Sequence, residues 1–480
     1  MKFIPIFLLG LIPFFISSCS LIRSSGVRPD DLTFAPLTFE VPEVEPVRLA
    51  NGIRVYLLED PELPLVEVTA MIGAGSIADP PEIEGRCSLF ASLLENGGAG
   101  ELDPKAFEEY LESLAIDFSV SSGSYATTIN LSVLKEDYGR ALNILDDVLR
   151  RPRFDSDRLE LLRRQSIEGI RRQNDNPGSI AGRTLNKAVY GEHPLGRTPT
   201  VETVSAISRE DLLNFHRQHF VPDNLWLAIS GDFDRERLLA DLNRLFEDWP
   251  AADYHPQPLP DLPLEQDAGV WFADKDIPQA TIRLGHLGID KDNPDLQAVR
   301  VMNFILGGGG FNSRLMREIR SNRGLAYSVY SYFQVGRRLP GSFIAGSETK
   351  CASTWEVTSL MLDEFGRIRD EEVSGEELTL AKESLINSFV FAFANSHQVL
   401  NQQVRLDFFD YPDDYLRNYR ERVSALTPGD IQRAAQTYLH PDKLSVVVVG
   451  CADEVEKNFY SLGLPVFEVP LTDGAKEAGK

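Results

Sequence analysis

The chain has little of what builds metal, redox or phosphate sites. Its 480 residues include only four cysteines and seven histidines. Cys87, Cys351 and Cys451 lie far apart with no C-x-x-C spacing, which argues against a disulfide framework or a thiolate metal site and leaves them as buried thiols. The histidines are scattered, and only His216 and His219 are close. Their "HRQH" spacing has no third ligand beside it, so a packing or surface role fits better than zinc. No H-E-x-x-H helix, P-loop, nucleophile elbow or Rossmann fingerprint occurs. The "LGGGG" run at 306–310 lacks the Gly-Lys-Ser/Thr of a phosphate cradle and reads as a turn opening a helix. Positive charge is scarce too, with 48 basic against 72 acidic residues and a net charge of −24. Without a basic stripe, nucleic acid is excluded as a partner.

The length, with 43% hydrophobic and 25% charged residues, is that of a folded protein of two or more domains. The opening "MKFIPIFLLGLIPFFISSCS" has one Lys2, an apolar stretch from Phe3 to Ile16, and small residues before Cys19. It is too short and too interrupted by proline for a good spanning helix and reads as a secretory signal. Its "ISSC" ending resembles a bacterial lipobox, which implies lipidation at Cys19; an ordinary secretory signal is the alternative. Residues 1–19 are thus expected to be a lipoprotein signal peptide and 20–45 a tether rich in Ser and Pro. Ser20, where many retained lipoproteins carry aspartate, points to an extracytoplasmic chain anchored at the periplasmic face of the outer membrane.

Two segments repeat. "VSAISREDLLNFHRQHFVPDNLWLAISGD" (204–232) and "VSALTPGDIQRAAQTYLHPDKLSVVVVGC" (423–451) align without a gap, Val204 on Val423, Asp211 on Asp430, Pro222 on Pro441 and Gly231 on Gly450. Each predicts a helix capped by Ser208 or Thr427, a Pro-Asp turn and an apolar strand. The repeat divides the chain into two homologous halves, 46–250 and 266–465, with a proline-rich linker over 251–265 and a tail over 466–480. Strands come early in each half, long helices come next, and strands return. The fold class is therefore α+β, each half a mainly antiparallel sheet backed by helices.

"FNSRLMREIRSNRGLAYSVYSYF" (311–333) places Arg314, Arg317, Arg320 and Arg323 on a helix that runs through a Gly-Leu-Ala-Tyr turn into a strand of alternating aromatic and small residues. From spacing alone, Arg320 reads as a solvated helix residue and Tyr327 as a packed strand aromatic. The segment resembles the C-terminal half of the insulinase and pitrilysin peptidases, inverted zinc enzymes with an H-x-x-E-H helix. "RLANGIRVYLLEDPELPLVEVTAMIGAGSIADPP", "YGEHPLGRTPT" and the duplication itself are similar to that family as well. The resemblance implies an insulinase-like duplicated α/β roll, in which Arg320 and Tyr327 bind peptide.

Aligned this way, the family's zinc helix falls on "EGRCSLFASLLENGG" (84–98). Ser88 and Ser92 stand at the histidine positions, Ala91 at the general-base glutamate and Gly169 at the third ligand. Glu168 is adjacent but points about 100° away around its helix. Serine hydroxyls are poor replacements for imidazole, and without metal and base no water is activated. The resemblance thus implies no metal, cofactor or catalytic residue in this chain, with zinc held only by a partner. The expected function is a membrane-anchored subunit, inactive alone, that contributes peptide binding to a zinc-bearing homologue. A peptide-binding or structural protein with no peptidase partner is the alternative. An active peptidase with unfamiliar ligands is disfavoured, because His216 and His219 lack a third ligand and a base.

Overall fold

The computed structural model describes residues 42–262, 268–451 and 458–471. The leader, Cys19 and the tether as far as residue 41 lie outside the described residues, as do parts of the linker and tail. No described helix is long and apolar enough to cross a membrane.

Two six-stranded sheets form the frame. The first contains β1 (Val47–Arg48), β2 (Arg54–Glu59), β3 (Leu65–Ile72), β4 (Asp117–Ser122), β5 (Thr127–Leu134) and β6 (Leu225–Gly231), in the order β1-β2-β6-β3-β5-β4. The second contains β7 (Gly269–Asp274), β8 (Gln279–Leu287), β9 (Ala326–Gln334), β10 (Ser342–Lys350), β11 (Ser445–Gly450) and β12 (Val466–Glu468), in the order β12-β7-β11-β8-β10-β9. Both are mainly antiparallel, as the sequence predicts. The exceptions are β2 beside β6, and β7 beside β11 and β12, which run parallel. The two repeated apolar strands, β6 and β11, are central in their sheets, where a strand buried on both faces loses its polar alternation.

Seven helices bear on the core and the site: α1 (Arg86–Asn96), α2 (Ser156–Arg171), α3 (Pro177–Tyr190), α4 (Arg209–His219), α5 (Gly375–Phe389), α6 (Ser396–Phe408) and α7 (Pro428–Tyr438). The predicted caps are present. Ser208 and Thr427 each accept the backbone N–H three residues on, and Asp211 and Asp430 return the bond as capping boxes.

The halves exchange helices. α3 comes after the first-half strands β1–β5, yet its Ile180, Ala181, Leu185 and Val189 pack on Ala273, Ile344, Val447 and Val449 of the second sheet. Reciprocally, Leu400, Val404 and Phe408 of α6 pack on Tyr56, Met71 and Ala228 of the first. The two helices start alike, Asn176 accepting from the Ser179 N–H and Asn395 from the Gln398 N–H. His397 adds a polar clamp, its Nε2 lying 3.0 Å from Thr69 Oγ1 and its Nδ1 2.9 Å from Ser230 Oγ.

The cysteine reading needs correction. Cys351 and Cys451 form a disulfide, with Cα atoms 5.9 Å apart across 100 residues of sequence. Both β10 and β11 run antiparallel to β8 on its two sides, so their C-terminal ends meet near its start, an adjacency that spacing does not reveal. Cys87 is a buried thiol, pushed up to about 12 by burial and hence unreactive.

If the exchanged helices bind the halves together, Leu400→Ala, deep in the α6 contact, should destabilise the whole described fold by about 2–5 kcal/mol. Hydrogen exchange should show lost protection in β2 and β6 as well as in α6. Loss confined to α6 would mean that the contact does not unite the halves.

Candidate functional site

α1 is held in place by a buried polar scaffold. Its N-terminal residue comes after Gly85 in the left-handed region, φ 95°, so no local side chain caps it. Asp79 does so from outside, accepting the Cys87 N–H at 3.0 Å and pairing with Arg86 at 3.1 Å. Arg197, from the "YGEHPLGRTPT" loop, then pairs with buried Glu84 at 2.6 Å and donates to the Asp79 carbonyl at 2.6 Å. Burial pushes both carboxyl groups, Asp79 and Glu84, above the usual range, and the arginines oppose it.

The face that α1 presents is empty of donors. Ser88 is exposed, Ser92 half-buried and Ala91 buried. α2 packs alongside α1. Gly169 on α2 has open space where a side chain would begin, while Glu168 is engaged with Arg172 at 2.8 Å. Two hydroxyls, a methyl group and a glycine do not fit zinc. Among the described residues no group of three His, Cys, Asp or Glu side chains is arranged to hold a metal ion. His216 and His219 pack in an aromatic cluster with Phe90, Phe215 and Phe220. Their rings lie 2.9 Å from the Leu149 carbonyl and the Tyr254 hydroxyl respectively, and burial pushes both down to about 4.

The second half places Arg320 and Tyr327 together. A π-helical segment, Met316–Asn322, carries Arg320, and Gly324 at φ 63° turns the chain into β9. Arg314, just upstream, is buried and makes a two-pronged pair with Glu377 of α5, both bonds 2.8 Å. The register of β9 on β10 shifts between Ser347 and Thr349, so Glu348 faces both Tyr327 and Ser328. Such a bulge re-aims a side chain, and Tyr327 is 82% exposed rather than packed. The Arg320 guanidinium lies 4.4 Å from its ring and 4.6 Å from the ring of Phe311, itself 65% exposed. Two rings thus hold one planar cation, leaving its N–H groups free to donate to a carbonyl or carboxylate.

Comparison with known proteins agrees with this architecture. Residues 54–201 match the family model described as Insulinase (Peptidase family M16), and residues 206–385 match that of the Peptidase M16 inactive domain. The chain belongs to the insulinase family. It is 26% identical over 385 residues to the non-peptidase homolog YmxG of Helicobacter pylori, covering 79% of this chain and 87% of that one. A crystal structure of a peptidase M16 inactive domain from Pseudomonas fluorescens superposes with a TM-score of 0.78 at 28% identity, over 86% of this chain and 99% of that one. A chain of complex III2 from Candida albicans shares the fold, with a TM-score of 0.70 at 16% identity over 88% and 99% of the two chains. Within the insulinase family this chain is a non-catalytic homologue of the zinc peptidases.

Sequence reasoning missed Phe311, because nothing short of the fold places it against Arg320.

The Arg314 guanidinium holds Glu377 down to about 2, against about 4.3 for a free glutamate. A carboxylate depressed on folding stabilises above its unfolded pKa and loses that contribution as pH falls through its folded pKa. With allowance for solvent screening of a partly exposed pair, Glu377 should add on the order of 2 kcal/mol that disappears between about pH 5 and pH 2. Denaturation curves taken across that window should show Glu377→Gln with a shallower acid dependence than wild type. An unchanged slope would exclude the pair as an acid-labile clamp.

Proposed function

We propose that this insulinase-family chain is a lipid-anchored, extracytoplasmic, non-catalytic subunit that pairs with a zinc-bearing homologue and helps hold the peptide it cleaves. The observation that carries the reading is the Phe311–Arg320–Tyr327 stack. An arginine with no carboxylate partner among the described residues, braced between two exposed rings, is poorly explained as scaffold and well suited to a peptide carbonyl. The Cys351–Cys451 bridge supports a location outside the reducing cytoplasm, in keeping with Cys19 as the lipid attachment point.

Purification from the native membrane should recover a zinc-bearing homologue together with this chain. In the reconstituted pair, Arg320→Ala and Tyr327→Phe should lower peptide hydrolysis about tenfold or more, equivalent to about 1.4 kcal/mol in transition-state binding, with assembly intact. Turnover unchanged in both variants removes the assigned role. Cys19→Ala should move the chain from the membrane to the soluble fraction; retention on the membrane would rule out the lipid anchor.

A further inference from the structure

Arg283, Gly346 and Tyr330 stand side by side, in register, on β8, β10 and β9. Glycine weakens a strand interior, and here its small size has a use. A Cβ on Gly346 would stand 2.6 Å from Arg283 Nη1 and 3.0 Å from the Tyr330 hydroxyl. Without one, the Arg283 side chain crosses β10, and its guanidinium lies 5.3 Å from the Tyr330 ring. It donates to the adjacent Ile282 carbonyl at 3.0 Å and forms no ion pair among the described residues.

Arg283 lines the same cleft, of about 680 Å3, as Arg320 and Tyr327. The other charged lining residues are Lys350 and Glu348. Three cations therefore face one anion, on a chain whose net charge is −24.

We propose that this cleft selects a carboxylate-bearing peptide segment, with Arg283, braced on Tyr330 across Gly346, as the carboxylate-recognising residue beside Arg320. The inference rests on the peptide-binding reading above and adds the class of peptide. A guanidinium offers a planar fork that matches a carboxylate in two parallel bonds, and a ring against its face restricts it without using those donors. The local positive balance favours approach of an anionic group, which the acidic remainder of the surface repels. An acidic side chain and a peptide C-terminus supply the same group.

Three labelled ten-residue alanine-rich peptides separate the cases by fluorescence anisotropy with the full-length chain in detergent. One has blocked ends and two central glutamates, one has blocked ends and two central glutamines, and one has the glutamines and a free C-terminus. At low salt at least one carboxylate peptide should bind about tenfold more tightly than the blocked glutamine peptide, and which one does so identifies the source. Arg283→Gln should reduce that ratio to less than about twofold. Gly346→Ala, whose Cβ would meet only side-chain atoms, Arg283 Nη1 and Cδ and the Tyr330 hydroxyl, should do the same in a folded protein. Equal binding of all three peptides, or a preference that survives both variants, overturns the selectivity and leaves peptide binding in place. Binding of none overturns both readings.

Discussion

Neither sheet of this protein is finished by its own half. The apolar face formed by Ala273, Ile344, Val447 and Val449 is covered by α3, and the face of Tyr56, Met71 and Ala228 by α6. Uncovering either would return several large side chains to water at about 1.5–3 kcal/mol each. The duplicated halves therefore fold as one body, and the two regions of interest are set in one frame. The exchange also reaches the second-half cleft, since Gly178 on α3 lies near the Arg283 guanidinium.

The same frame holds α1 in place without help from Ser88, Ser92 or Gly169. Arg197, Glu84, Asp79 and Arg86 are mutually paired and largely buried. Removing one partner of a buried pair leaves an uncompensated charge, at about 3–5 kcal/mol. Ser88 and Gly169 are exposed and Ser92 only half-buried, so exchanging donors at these positions leaves no buried charge behind. Stability thus maintains the helix and its entry loop, while the packing places little demand on Ser88, Ser92 and Gly169 and confines only Ala91.

Much of this was legible in the sequence, because it lay in local patterns. The gapless repeat predicted the capped helices α4 and α7 and the strands β6 and β11. The helix exchange was not legible, since amphipathic periodicity says which face of α3 or α6 is apolar but not which sheet will cover it. The disulfide escaped for a related reason: its partners meet only when β10 and β11 flank β8. From spacing alone Tyr327 read as a packed aromatic, and a bulge of one residue turned it outward.

That bulge also shapes the cleft of the second half. Regular pairing of β9 with β10 would satisfy the edge ladder and bury one more ring; the chain instead departs from it at Tyr327 and Ser328. Next to it, β10 gives up a side chain at Gly346, and Arg314 is fastened to Glu377 one helical segment away from Arg320. The bulge and Gly346 each weaken a strand slightly and hold or expose a guanidinium or a phenol on the same cleft, whereas the Arg314–Glu377 pair stabilises the segment that carries Arg320. On the first half, Ser88, Ala91, Ser92 and Gly169 are small and neutral. If the second-half cleft holds peptide as proposed, the chemistry asked of it is hydrogen-bond donation, a task for arginines braced by aromatic rings.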